Sequence, residues 1–216
     1  MALQTATLYP EQRAIETLAK ISNINGTEIL PIQIKSYESV PKKLEFGGTL
    51  IPTKEIIAIP NKLILMPGQE KVIRILYKGK KIKKEKIFFI ETEQAQMKKK
   101  RQKKKKFDVQ ILMNFQKKIS VTSQKFLANV KVTAEKTMQN STPKLTLTFH
   151  NHGTKLKRFK QLDLRVRTSK GTLRLTKKDL GINNLIVYPK QVARVTLEWP
   201  ENIPQTADII SARYYE

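Results

Sequence analysis

The chain has 216 residues, of which 42 are Lys or Arg and 18 are Asp or Glu, so its formal net charge is +24. That length can bury one substantial core or two smaller ones, and that charge favours anionic partners such as nucleic acid, anionic lipid or acidic protein. The absence of Cys excludes disulfides and thiolate chemistry, and no apolar run reaches the roughly 20 residues that a membrane span needs.

The N-terminal segment MALQTATLYPEQ lacks the basic and then apolar layout of a signal peptide. Two interpretations stay open: a cytoplasmic protein, or the mature form of an exported protein whose leader has been removed. The next segment, PEQRAIETLAKI, permits a short amphipathic helix with Ile15, Leu18 and Ile21 on one side. It also runs directly into strand-like sequence, so a strand is the alternative.

The rest of the chain consists of short β-like segments separated by Gly, Pro and Asn. The first set is AKISNI, ILPIQIKSYE, EIIAIP, KVIRILYK, KIFFIET and FDVQILMNFQKKISV. The second set is FLANVKVTAE, KLTLTFH, KQLDLRVRT, NLIVYP, VARVTLEWP and ADIISARYYE. This spacing without helical interludes predicts an all-β protein built from antiparallel sandwiches.

An internal echo indicates two copies of one domain type. SNINGTEILPIQI and FHNHGTKLKRFKQLDL both contain a strand, a turn that ends in Gly-Thr, and another strand. We expect Gly26 and Gly153 to supply a positive φ in these turns. We place the boundary after the long strand, which divides the chain into domains 1–122 and 123–216.

The long segment FDVQILMNFQKKISV alternates apolar and polar residues. One face carries Phe107, Val109, Ile111, Met113 and Phe115, and the segment ends in Lys117 and Lys118. Its length of about 15 residues exceeds the usual 5 or 6. An apolar face of this kind can fill the core of its own domain. On an exposed edge it is an aggregation hazard or a device for binding another chain.

A run of positive charge, KKKRQKKKK, directly precedes that segment. It contains Lys98, Lys99, Lys100, Arg101, Lys103, Lys104, Lys105 and Lys106. A solvated loop is one explanation. The other is a basic nucleic-acid-binding protein that neutralises phosphates with this segment, although the run has no aromatic residue for base stacking.

Motifs for catalysis are lacking. The sequence contains no GxSxG, no Walker loop and no GxGxxG, and its carboxylates are sparse and lie mostly beside Lys. His150 and His152 have metal-ligand spacing, but no acidic cluster or Cys completes a site, so we interpret them as part of a polar turn. The sequence therefore predicts a protein without enzymatic activity, metal or cofactor.

One stretch resembles a known family, the PapD-like periplasmic chaperones of chaperone–usher systems, which assemble pili. IAIPNKLILMPGQEKVIRILYKG is similar to that family's run of a hydrophobic residue and Pro, a Leu, Pro-Gly-Gln and an Arg-bearing strand. The matching positions are Pro60, Leu65, Pro67, Gly68, Gln69 and Arg74. EKIFFIE resembles the Glu and aromatic-rich strand that follow, with Glu85, Phe88 and Phe89. The resemblance covers most of the first domain and is diffuse in the second.

The resemblance implies a fold and a function. The fold is two immunoglobulin-like β-sandwich domains in an L-shaped arrangement. The function is to bind, fold and cap pilus or fimbrial subunits in the periplasm by donor-strand complementation, without ATP, and to deliver them to an outer-membrane usher. It implies neither a nucleic-acid partner nor membrane insertion, and it leaves open a dimer in which free copies cap each other.

The resemblance also assigns roles to residues. Arg13 in the first strand and Lys118 in the seventh, with Lys117 as the alternative register, would hold the C-terminal carboxylate of a subunit. The donated side chains would be Val109, Ile111, Met113 and Phe115. Glu85 would lie between the domains, but Thr122 replaces the Arg with which the family commonly pairs it, so we expect Glu85 to lack that partner.

Overall fold

A computed structural model of the protein describes residues 5–23, 28–94, 114–181 and 185–215. The strands of the first half are β1 Thr5–Leu8, β2 Glu16–Ser22, β3 Leu30–Pro41, β4 Gly48–Pro52, β5 Ile56–Ile59, β6 Lys62–Leu65, β7 Glu70–Tyr77, β8 Lys86–Gln94 and β9 Asn114–Val121. Those of the second half are β10 Val130–Gln139, β11 Thr142–Asn151, β12 Lys157–Arg158, β13 Asp163–Thr168, β14 Gly171–Thr176, β15 Ile186–Val187, β16 Val192–Glu198 and β17 Ile209–Tyr215. The prediction of an all-β fold is confirmed. None of the described helices is long and apolar enough to cross a bilayer.

The chain divides into two compact units. The first comprises Met1–Ser39, Leu50–Ile82 and Lys86–Gln124, and the second comprises Val40–Thr49, Lys83–Glu85 and Lys125–Glu216. Two short segments of the first half thus belong to the second unit. The boundary after residue 122 is a single cut in the sequence and stays a prediction.

The first unit is a sandwich of two sheets. One sheet has the strand order β1-β9-β8-β3-β4, with β6 also paired to β3, and the other has the order β2-β7-β5. Alternation sends Ile73, Ile75 and Tyr77 of β7 inward, where each is at most 4% exposed. Phe88 of β8 and Ile119 of β9 meet them from the first sheet and are fully buried. The apolar face of KVIRILY is therefore core, as its alternation indicates.

The short helix that the sequence permits near the N-terminus does not form. Pro10–Gln12 make a single turn of 3-10 helix, and Glu16–Ser22 form β2. Thr17, Ala19 and Ile21 are half-buried whereas Leu18 is exposed, so the residues alternate with the period of a strand. Pairing with β7 along the whole of β2 supplies the backbone hydrogen bonds that a helix would have made internally.

The second unit contains a three-stranded sheet β10-β11-β16, a second three-stranded sheet β14-β13-β17 and the short pair β12-β15. Leu147, Phe149, Phe159 and Leu164 are fully buried between them. The ring of Phe159 lies 5.8 Å from that of Phe149 and 5.1 Å from that of Tyr214, both in edge-to-face contact. These aromatic contacts fix the spacing of the core.

The role predicted for Gly153 is wrong, and that for Gly26 lies outside the described residues. Gly153 is absent from the glycines with positive φ, which include Gly68 in the Pro-Gly-Gln turn. A Cβ at position 153 would lie 2.2 Å from the carbonyl oxygen of Leu127 and 2.6 Å from the amide nitrogen of Asn129. Glycine is required here because two backbone segments approach closely.

We therefore expect Gly153→Ala to lower the free energy of unfolding by more than about 2 kcal/mol, because backbone atoms must move to admit the methyl group. Gly68→Asn is the matched control. Its φ is +74° and its surroundings are open, and since Asn tolerates the left-handed region the cost should stay below about 1 kcal/mol. Urea unfolding of both variants measures the difference, and equal losses would contradict the close-approach explanation.

Candidate functional site

Strand β9 is the centre of the candidate site. It pairs antiparallel with β8 from Asn114 to Val121, and it pairs in parallel with β1 from Lys118 to Val121. Ile119 and Val121 are fully buried. The strand is thus held on two sides and anchored in the core at its C-terminal end.

The other half of β9 pairs on one edge only, as far as the described residues show. Within the described residues, Asn114–Lys117 pair with β8 alone, because the described part of β1 begins opposite Lys118 with Thr5. A strand edge without a neighbour presents a row of backbone donors and acceptors that another strand can pair with. Asn114–Lys117 directly follow Val109, Ile111 and Met113, which were predicted to insert into a subunit.

The paired lysines at this edge have different environments. Lys117 shares a strand face with buried Ile119, and its Nζ donates a hydrogen bond to the carbonyl oxygen of Leu18 at 2.9 Å. Burial lowers the pKa of Lys117. Lys118 lies on the opposite face, in register with Thr5 and Phe89, and is half-buried. The side chains of Lys117 and Lys118 therefore lie on opposite faces of the sheet.

Arg13 does not lie in a strand, contrary to the prediction. Pro10 begins a 3-10 turn, and Arg13 ends it in the left-handed conformation with φ 61° and an exposed side chain. The turn is fixed to the end of β9, because the Ser123 hydroxyl lies 2.8 Å from both carboxylate oxygens of Glu11 and donates its one proton to that carboxylate, and Oε1 also accepts from the amide of Gln124 at 3.3 Å. The structure thus ties the turn that carries Arg13 to the strand that carries Lys118. The sequence analysis missed this clamp.

Glu85 is buried and belongs to the second unit. Its Oε2 accepts a hydrogen bond from the amide of Leu156 at 2.8 Å, and its own amide donates to the carbonyl oxygen of Thr154 at 2.8 Å. Backbone groups thus provide hydrogen bonds for a carboxylate that was expected to lack its usual Arg. The role between the domains stays a prediction.

Thr122 occupies the position of that expected Arg. It is 3% exposed, and its amide donates to the carbonyl oxygen of Leu8 at 3.0 Å. Its Oγ1 is buried and has no hydrogen-bond partner within the described residues. A buried hydroxyl in this state destabilises the fold.

Several predicted site residues lie outside the described residues. They are Val109, Ile111 and Met113 of the donor segment, and Lys98, Lys99, Lys100, Arg101, Lys103, Lys104, Lys105 and Lys106 of the basic run. The backbone of Phe115 is in β9, but its side chain also lies outside the described part. The assignments to these residues stay predictions.

The two histidines do not lie in a simple turn. His150 is in β11, and the ring centroids of His150 and His152 are 3.6 Å apart. Burial, and then the charges of His152 and Lys190, lower the pKa of His150. The part of the chain that the structure describes contains no group of three metal-ligating side chains.

Comparison with known proteins identifies the fold. No protein-family model and no curated protein matches the chain in sequence. Solved structures do match it over nearly its whole length. A chain of the chaperone–tip adhesin complex of CFA/I fimbriae biogenesis has 15% sequence identity and a TM-score of 0.60, and the alignment covers 96% of this chain and 94% of that chain.

Two further structures agree. The class 5 fimbriae chaperone CfaA has 14% identity and a TM-score of 0.59, with 96% of this chain and 95% of that chain covered. A chain of the CsuC–CsuE pre-assembly complex of Csu pili from Acinetobacter baumannii has 13% identity and a TM-score of 0.56, with 99% and 94% covered. The chain therefore has the fold of the fimbrial chaperones, with two immunoglobulin-like domains.

The unpaired hydroxyl of Thr122 leads to a stability prediction. We expect Thr122→Val to raise the free energy of unfolding by about 1 kcal/mol, because Val keeps the shape and removes the buried polar atom. Thr146→Val is the matched control, since the buried Thr146 hydroxyl lies 2.9 Å from that of Thr137 and 3.2 Å from that of Thr196. That variant should lose stability. Chemical denaturation of both variants measures the two free energies of unfolding. If Thr122→Val lost as much stability as Thr146→Val, the Thr122 hydroxyl would have to be paired.

Proposed function

We propose that the chain is a periplasmic, non-enzymatic chaperone that binds and caps fimbrial subunits. The observation that carries the proposal is the edge of β9 at Asn114–Lys117, which pairs with no second strand among the described residues, in a fold that matches fimbrial chaperone structures along 96% or more of the chain. One of those structures is a complex of a chaperone with a tip adhesion subunit before assembly. An exposed strand edge is the feature that a chain missing a strand would pair with.

In this proposal the segment that leads into β9 completes a subunit whose own sandwich lacks its last strand. Val109, Ile111, Met113 and Phe115 would enter the subunit's groove, while the backbone pairs along the edge. Each buried apolar side chain contributes roughly 1.5 to 3 kcal/mol, whereas an exposed ion pair contributes about 0 to 1 kcal/mol. Apolar burial would therefore provide most of the affinity, and backbone pairing would set the register.

Arg13 and Lys118 would bind the C-terminal carboxylate of the subunit. Lys118 is preferred over Lys117 because it lies on the opposite face of β9, in register with Thr5 of β1, whereas the Lys117 amine faces β2 and donates to the Leu18 carbonyl. The Glu11 clamp supports Arg13, because it fixes the turn of Arg13 to the end of β9. A guanidinium binds a carboxylate through two parallel hydrogen bonds, and the ammonium adds charge and further donors.

The remaining assignments follow from the same mechanism. Folding of the subunit on the donated strand supplies the free energy, so neither ATP nor a cofactor is needed. The capped subunit would pass to an outer-membrane usher. The basic segment 98–106 would keep the apolar donor segment soluble through charge repulsion.

The donor assignment is tested by co-expression with a fimbrial subunit and co-purification at about 1 M salt, where exposed charge pairs are screened. We expect Ile111→Ser with Met113→Ser to lower the yield of the complex at least about 100-fold, because the two substitutions remove two apolar side chains from the subunit's groove at roughly 1.5 to 3 kcal/mol each. Leu112→Ser is the matched control, since Leu112 has the opposite parity in the alternation.

Equal loss in the two proteins would mean that the predicted face is not the donated one. If the chain instead binds single-stranded nucleic acid and releases it at high salt, while no subunit co-purifies, the basic nucleic-acid-binding alternative is favoured.

The anchor assignment is tested with Arg13→Ala and Lys118→Ala in the same assay. Each should lower the yield of the complex by about 100-fold or more, because removing one partner of a buried charge pair costs about 3 to 5 kcal/mol. Lys62→Ala removes an exposed cation of the same unit and should leave the yield unchanged. Circular dichroism must show that all variants fold, and unchanged yields for Arg13→Ala and Lys118→Ala would refute the anchor.

A further inference from the structure

The exposed face of the sheet β14-β13-β17 in the second unit carries four arginines. Arg165 and Arg167 alternate with buried Leu164 and Val166 along β13. The neighbouring strands add one exposed arginine each, Arg174 on β14 and Arg213 on β17. We call these four residues the arginine face.

The strand register places like charges side by side. Arg165 is opposite Arg174 on one neighbouring strand and opposite Arg213 on the other. Adjacent strands are about 4.8 Å apart, and like charges directly opposite each other destabilise a sheet. The row of three arginines therefore works against the stability of the free protein.

The residue type is also selective. The chain contains 9 Arg and 33 Lys, and β13, β14 and β17 together contain four of the Arg and none of the Lys. Charge for solubility alone does not distinguish the two residues. Arg differs from Lys by its planar fork, which binds carboxylates and phosphates through paired hydrogen bonds and stacks on aromatic rings. The choice of Arg indicates recognition of an anion.

The face already binds one carboxylate. Asp163, at the end of β13, accepts hydrogen bonds from Arg174 Nε at 3.0 Å and from a terminal nitrogen of Arg165 at 3.3 Å. Burial alone would raise the pKa of Asp163, but the two arginines hold it below its usual value. The guanidinium of Arg165 also lies 4.8 Å from the ring centre of Tyr215. One carboxylate and one ring thus orient half of the face.

The other half has no such partner. Within the described part of the chain, Arg167 and Arg213 form neither an ion pair nor a side-chain hydrogen bond, and both are exposed. Arg165 and Arg167 lie two residues apart on one strand, a separation of about 6.8 Å. Alternate side chains of any extended peptide have the same spacing.

We infer that the arginine face binds an extended acidic segment of a partner protein, with carboxylates at alternate positions that pair with Arg167, Arg213 and their neighbours. The Asp163 contacts show that carboxylate geometry suits these guanidinium groups, which favours a carboxylate ligand over a phosphate. This surface lies wholly in the second unit, so the inference does not depend on the function proposed for β9.

The experiment uses the full chain and a fluorescent peptide of alternating Glu and Thr. Its affinity is measured by anisotropy at about 0.15 M ionic strength, where charges more than about 8 Å apart are screened. We expect Arg167→Gln with Arg213→Gln to weaken binding about tenfold. Lys131→Gln with Lys160→Gln removes the same charge from exposed positions of the same unit, and it should change the affinity by less than about twofold.

A third protein, Arg167→Lys with Arg213→Lys, keeps the positive charge but removes the planar guanidinium groups. We expect its affinity for the peptide to lie between those of the parent and of the Gln variant. No variant should melt below the parent, and Arg167→Gln with Arg213→Gln should melt at or above the parent's temperature, because it removes one of three adjacent like charges. Equal losses for the arginine and lysine pairs, or no measurable peptide binding, would overturn the inference. The inference would also be overturned if Arg167→Gln with Arg213→Gln lost more affinity for phosphatidylglycerol vesicles or for oligodeoxythymidine than for the peptide. The ligand would then be a membrane or a nucleic acid.

Discussion

The pairing of the β9 backbone is the constraint on which the first unit depends. A strand has hydrogen-bonding groups on two edges, and β9 satisfies one edge with β8 along its whole length while β1 covers the other from Lys118 onward. Among residues 5–23, 28–94, 114–181 and 185–215, no strand pairs with the rest of that edge, and an edge without a neighbour can accept a strand of another chain. Because Ile119 and Val121 of the same strand are fully buried, the core holds this edge in place. A partner that adds a strand here would meet a preformed template.

Burial decides how a chain with a net charge of +24 accommodates its charged groups. Inside, backbone dipoles satisfy them: the Leu156 amide binds the Glu85 carboxylate, and the Leu18 carbonyl binds the Lys117 ammonium. Outside, the arginines of β13 and its neighbours lie next to one another, where water and salt weaken their repulsion. Positive charge accumulates at positions where a partner can reach it.

The fold was predictable where strands are long enough to show alternation. Strand β7 alternates between inward and outward residues, β8 contains four consecutive apolar residues, and both strands, with 8 and 9 residues, were recognised. Strands β1, β4, β6 and β14 have 4 to 6 residues and were missed. Segments so short carry little periodic signal, and they are strands because a neighbouring strand supplies their hydrogen bonds. Edge position alone does not explain the missed strands, because the edge strands β5, β10, β16 and β17 were recognised from their apolar residues.

The candidate site was less predictable because its geometry depends on residues that are distant in sequence. Pro10 signals a turn, but nothing nearby indicates that Glu11 would reach Ser123, 112 residues further on, and so fix the turn of Arg13 to β9. The amide that binds Glu85 is likewise 71 residues away. A resemblance in sequence can assign residue types to roles, but only the fold shows which roles are compatible. Lys117 and Lys118 are an example, since the hydrogen bond from Lys117 to Leu18 joins two sheets while Lys118 lies on the opposite face of β9; the assignment of the anchor to Lys118 stays a prediction.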